Sequence, residues 1–121
     1  MTEFDAELVG AGEIIENNCF VLVIAEHFDG SGQRLELQAA LSYDEQDQSL
    51  SMDTYCLCTE TGACHYGGVT SWTLIEDQAV LVVTLDEAAS RVLDVAGGLR
   101  VKVPRSDVPI VRESLQRILA A

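Results

Sequence analysis

The sequence predicts an α+β domain: a mainly antiparallel β-sheet of about 6–8 strands, with a short helix and a C-terminal amphipathic helix packed on one face. Three observations carry this. Apolar, β-rich runs fill the chain up to Leu85, several of them alternating with a period of two. Turn signals rich in Gly, Asn and Asp separate those runs at short intervals. Apolar residues at helical spacing occur only after Asp86. The 121 residues contain no internal repeat, Pro-rich linker or low-complexity tract, so a single domain over 1–121 is expected. A chain of this size can bury a core without metals or disulfides.

The elements follow in order. Phe4 to Val9 and Gly12 to Ile15 read as strands around "GAG", and "ENN" supplies a turn. "CFVLVIAEHF" is apolar at both parities from Cys19 to Ala25, as expected of a strand covered on both faces. After the loop "DGSG", "RLELQAALS" places Leu35, Leu37, Ala39 and Leu41 on one parity, the pattern of a half-buried strand. "YDEQDQSLS" then leads into "MDTYCLC", which turns at "TETG" and continues through "ACHYGG" into "VTSWTLIE". "AVLVVTL" reads as the hairpin partner of that last strand. Asp86 is placed to cap a short helix carrying Ala88, Ala89, Val92 and Leu93, with Gly97 or Gly98 to stop it. "LRVKV" makes a further strand. Ser106 opens the last helix, where Pro109 is tolerated in the first turn and Val108, Val111, Leu115, Ile118 and Leu119 form one stripe.

Charge narrows the function. Twenty acidic against seven basic side chains give a formal net charge of −13, and Arg34 is the only basic residue before Arg91. Nucleic acid and anionic membrane are disfavoured as partners, because either requires a basic face. An acidic face suits a basic protein partner, since complementary potentials speed encounter; it also simply keeps a protein in solution. With no run of about 18 apolar residues and no signal-peptide pattern at the start, a cytoplasmic location is expected. Thiols stay reduced there, so Cys19, Cys56, Cys58 and Cys64 are expected as free thiols or ligands rather than disulfides.

Cys56, Cys58, Cys64 and His65 form a candidate metal cluster of the ligand types zinc prefers. Strand alternation points Cys56 and Cys58 to one face but sends Cys64 and His65 to opposite faces, so at most three ligands can converge. The expectation is therefore no metal and no cofactor, with a small metal- or ligand-binding domain built on this hairpin as the alternative. The acidic run lacks the glycine and terminal glutamate of an EF-hand loop. No nucleophile elbow, P-loop or His-Glu-x-x-His motif occurs, and the expectation is a protein that is not an enzyme. Asp44, Glu45, Asp47 and Asp53 interleave with Tyr55 and Tyr66, a mixture of acids and amphipathic aromatics that suits a contact surface. Trp72 shares parity with Leu74 and is expected in the core, and Tyr66 before Gly67 and Gly68 is suited to bracing a turn.

"YDEQDQSLSMDTYCLC", followed by "HYGGVTSWTL" and "LVVTLDEAASRVLDVAGGLRVKV", resembles the Immunity protein 10 family of bacterial polymorphic toxin systems. The specific part is Asp44-Glu45-Gln46-Asp47, the run Leu50-x-Met52-Asp53-x-Tyr55, and Tyr66-Gly67-Gly68. The resemblance implies a small cytoplasmic protein that binds and blocks a co-encoded toxin domain, with a basic nuclease as the target that the charge suggests. Asp44, Glu45, Asp47, Asp53, Tyr55 and Tyr66 are the expected partner contacts. An exposed edge strand leaves monomer and homodimer both open.

Overall fold

A computed structural model describes residues 1–41 and 54–119. Among these the chain forms nine strands in two sheets and two α-helices, so the α+β class holds. The strands are β1 (Thr2–Asp5), β2 (Leu8–Ile14), β3 (Cys19–Ala25), β4 (Arg34–Ala40), β5 (Cys56–Thr59), β6 (Cys64–Tyr66), β7 (Val69–Ile75), β8 (Val80–Leu85) and β9 (Gly98–Lys102). The helices are α1 (Glu87–Leu93) and α2 (Val108–Leu119).

One five-stranded sheet runs β2-β3-β4-β5-β6, antiparallel throughout. The second has four strands in the order β1-β9-β8-β7, and its β1–β9 pair is parallel. The single sheet of the sequence reading is thus divided in two. The division occurs where the backbone leaves one sheet for the other. At Ala6 and Glu7, the Ala6 N–H donates to the Lys102 carbonyl at 2.7 Å and the Glu7 N–H to the Ala25 carbonyl at 3.1 Å, one bond to each sheet. Gly67 and Gly68 make the second crossing, between β6 and β7. Both have positive φ, and a Cβ on Gly68 would lie 2.5 Å from that of Ala89.

The two sheets share one core. Leu22, Ile24, Leu35, Leu37 and Leu57 from the five-stranded sheet join Leu81, Val83, Leu99 and Val101 from the other in a continuous buried cluster. Burial of this kind is the main favourable term in folding, about 1.5–3 kcal/mol for each large aliphatic side chain. Trp72 packs against the same cluster, half-buried, as its parity predicts. Helix α2 buries Val108, Val111, Leu115 and Ile118 and contacts β2, β3 and β4, closing the inner face of the five-stranded sheet. Arg117 reaches off that stripe, its guanidinium 4.1 Å from the Phe20 ring centroid and 2.7 Å from Glu13.

The helix boundaries correct the sequence reading in two places. Asp86 does cap α1, its carboxylate accepting from the Ala89 N–H at 2.8 Å. Asp94 rather than Gly97 or Gly98 ends the helix, in the left-handed conformation. Gly98 instead opens β9, where any side chain would collide with the Val83 carbonyl. The last helix begins at Val108, because Arg105–Asp107 form a 3-10 turn that contains Ser106. Between β3 and β4, the Asp29 carboxylate accepts from the Ser31 hydroxyl at 2.6 Å and the Ser31 N–H at 2.9 Å, which holds it below the ordinary carboxylate value. Among the described residues no helix is long and apolar enough to cross a membrane.

Candidate functional site

The five-stranded sheet turns one face to the core and the other away from it. Strand alternation sends Leu35, Leu37 and Leu57 inward, so Glu36, Gln38, Cys56 and Cys58 share the outer face. Register sets out two rows across it. Gly12, Val21, Gln38, Cys56 and Tyr66 stand side by side from β2 to β6, and Gly10, Val23, Glu36, Cys58 and Cys64 make the next row. Open space lies over the Cα atoms of Gly10 and Gly12, so the β2 end of the face forms a shallow trough of about 220 Å³ floored by Val21 and Val23. At the other end Tyr66 is 47% exposed. Between them Gln38 donates to the Glu36 carboxylate at 2.8 Å.

The two candidate tyrosines occupy different environments. Tyr66 presents its ring on the outer face. Tyr55 is partly buried against the core, and its hydroxyl accepts from the Val69 N–H at 2.9 Å. The Tyr55 carbonyl accepts from the Gly67 N–H at 2.9 Å, and the Gly68 carbonyl from the Asp86 N–H at 2.8 Å. Tyr55, Gly67 and Gly68 therefore tie the second crossing to β7 and to the cap of α1. Asp44, Glu45, Asp47 and Asp53 lie outside the described residues.

The cysteines depart from the expectation of reduced thiols. Cys58 and Cys64 form a disulfide, while Cys19 and Cys56 are free. Register is the reason: Cys58 and Cys64 are directly opposite in the β5–β6 pair, with Cα atoms 4.2 Å apart, within reach of a cross-strand bond. Cys56, Cys58 and Cys64 bring their sulfurs together on the outer face, whereas His65 faces inward with Nδ1 3.0 Å from the Gly67 carbonyl. Burial pushes the Cys56 thiol above its ordinary value, and the Glu36 carboxylate adds to this, against a partial relief from the His65 backbone.

The basic residues cluster late in the sequence, but the fold disperses them among acids. Arg100 pairs with Glu3 at 3.6 Å, Arg91 with Glu87 at 2.8 Å, Arg117 with Glu13 at 2.7 Å, and Arg112 with Glu76. The large excess of acids remains.

The Immunity protein 10 family model matches residues 5–110. The chain belongs to the Immunity protein 10 family. The span covers β2 to β9, α1 and the start of α2, so it takes in both sheets and both crossings. No curated protein and no solved structure matches this Immunity protein 10 chain significantly. Of its family-like residues, Tyr55, Gly67 and Gly68 are structural ties, and Tyr66 is presented outward. Glu36 and Gln38, which share Tyr66's face, were absent from the sequence-based contacts; the parity opposite Leu35 and Leu37 is the signal that finds them, and the β3–β4 register adds Val23.

Proposed function

We propose that the protein neutralises a co-encoded bacterial toxin domain by binding it, as the immunity component of a polymorphic toxin system in the cytoplasm of the producing cell. The family match over residues 5–110 carries this reading. Blocking requires no chemistry from the protein; it requires that the complex cover the toxin's working surface. The acidic excess supports a contact made with a basic toxin, and a nuclease is the target it suits best, because an acidic surface laid over a phosphate-binding groove competes with the substrate there. Asp44, Glu45, Asp47 and Asp53 supply the acidic part of the contact, and Tyr55 and Tyr66 its aromatic part. Tyr66 is the better placed of the two, at an exposed position on the outer face. The edge strands β2 and β6 of the five-stranded sheet are compatible with a monomer or a homodimer.

The electrostatic part is tested on the acidic stretch of sequence between β4 and β5. Replacing Asp44, Glu45 and Asp47 by Asn, Gln and Asn is expected to slow association with the co-encoded toxin domain by roughly tenfold or more at low salt, and to flatten its dependence on ionic strength. Stopped-flow association at two salt concentrations measures both. An unchanged rate would remove these three acids from the steering surface.

A further inference from the structure

The outer face also brings three cysteines close together. Cys56 and Cys58 occupy alternate positions of β5, and Cys64 stands opposite Cys58 on β6. Alternate residues on a strand are roughly 6.6 Å apart. The Cys56 and Cys58 sulfurs nevertheless lie 3.8 Å apart, and all three sulfurs fall within 4.8 Å of one another. The side chains lean toward a common point. A zinc ion with Zn–S bonds of about 2.3 Å in tetrahedral geometry holds its sulfurs about 3.8 Å apart. The Cys56–Cys58 separation meets that requirement as it stands.

We propose that the reduced protein binds one thiophilic d10 cation of the zinc class through the thiolates of Cys56, Cys58 and Cys64, with a fourth position open to solvent. Cys64 is exposed and Cys56 half-buried, which gives the ion a route in, while Cys58 is buried and anchors the inner side of the site. Glu36, the register partner of Cys58 on β4, places a carboxylate on the same face and favours a cation there. His65 lies on the opposite face of the sheet and is not a ligand.

The Cys58–Cys64 disulfide and the metal need the same two sulfurs, so they exclude one another and the site is gated by redox state. A cellular dithiol supplies the two electrons and two protons that open the bond, giving two protein thiols and leaving the dithiol as a cyclic disulfide. Metal binding then forms three metal–sulfur bonds and releases one proton from each thiol. The oxidised chain retains a single thiol at the site, Cys56, and cannot complete it.

The test uses the full chain and cadmium(II) as probe. A phosphine reduces the protein without supplying a thiol, becoming its oxide with an oxygen from water. Titration is followed by the cadmium–thiolate charge-transfer band and by native mass spectrometry. One ion per reduced chain is expected, with no band from the oxidised chain. Cys56→Ser and Cys64→Ser, the second at an exposed position that tolerates the change, should each weaken binding by more than the roughly 10–100-fold that loss of an outer-shell partner costs. Cys19→Ser and His65→Ala should bind as the parent does. The proposal is overturned if the reduced chain shows no one-to-one complex, if the oxidised chain binds equally well, or if Cys56→Ser retains full affinity.

Discussion

Tyr55 shows how a residue that looks like a contact can be part of the frame. It follows an acidic run in the sequence, yet its hydroxyl accepts from the Val69 N–H and its carbonyl from the Gly67 N–H, bridging the start of β5 to the start of β7. Tyr55→Phe leaves the Val69 N–H without its acceptor. The expected cost is about 1–2 kcal/mol of folding stability, read from urea unfolding. Affinity for the toxin should change far less than it does for Tyr66→Ala, which removes an exposed ring on the outer face. A Tyr55→Phe variant of unaltered stability but weakened binding would make Tyr55 a contact first and a tie second. For the cysteines, parity read from the sequence set Cys64 and His65 on opposite faces, and the β5–β6 register decides that Cys64 is the one beside Cys56 and Cys58. The disulfide was not legible, because it depends on the β5–β6 register that sets Cys58 opposite Cys64 and not on compartment.

At the scale of elements, α2 is the clearest case of sequence specifying structure. Its stripe is apolar at helical spacing, and Val111 and Leu115 are wholly buried beneath it. Leu115→Ala should cost about 2–5 kcal/mol, whereas Ile110→Ala, on the exposed side of the same helix, should cost little. Equal effects in thermal or urea unfolding would mean that α2 does not close the sheet as described. The strands were legible for the same reason, through alternation in β4 and the apolar run of β3. The division into two sheets was not. It is decided at Ala6–Glu7 and Gly67–Gly68, short connectors with no periodicity to read, and by the parallel pairing of β1 with β9 across almost the whole chain. The end of α1 was misplaced because two glycines sit just beyond it, while Asp94 takes the left-handed position and Gly98 is required by its closeness to β8.

At the scale of the molecule, net charge was legible and its arrangement was not. In the sequence Arg34 is the only basic residue before Arg91. Folding sets Arg100 against Glu3 and Arg117 against Glu13, which places these two late arginines beside acids from the start of the chain. These pairs are substantially exposed and contribute little to stability each, so their main effect is on the field the protein presents. What remains is a net charge of −13 on a compact two-sheet frame of the Immunity protein 10 family. The account then turns on whether that frame neutralises a toxin. The direct measurement is growth of cells that express the toxin domain encoded beside this gene, with and without this protein. The account predicts that co-expression restores growth and that a toxin domain from an unrelated system is not relieved. Undiminished killing by the adjacent toxin, with this protein present and folded, would contradict it.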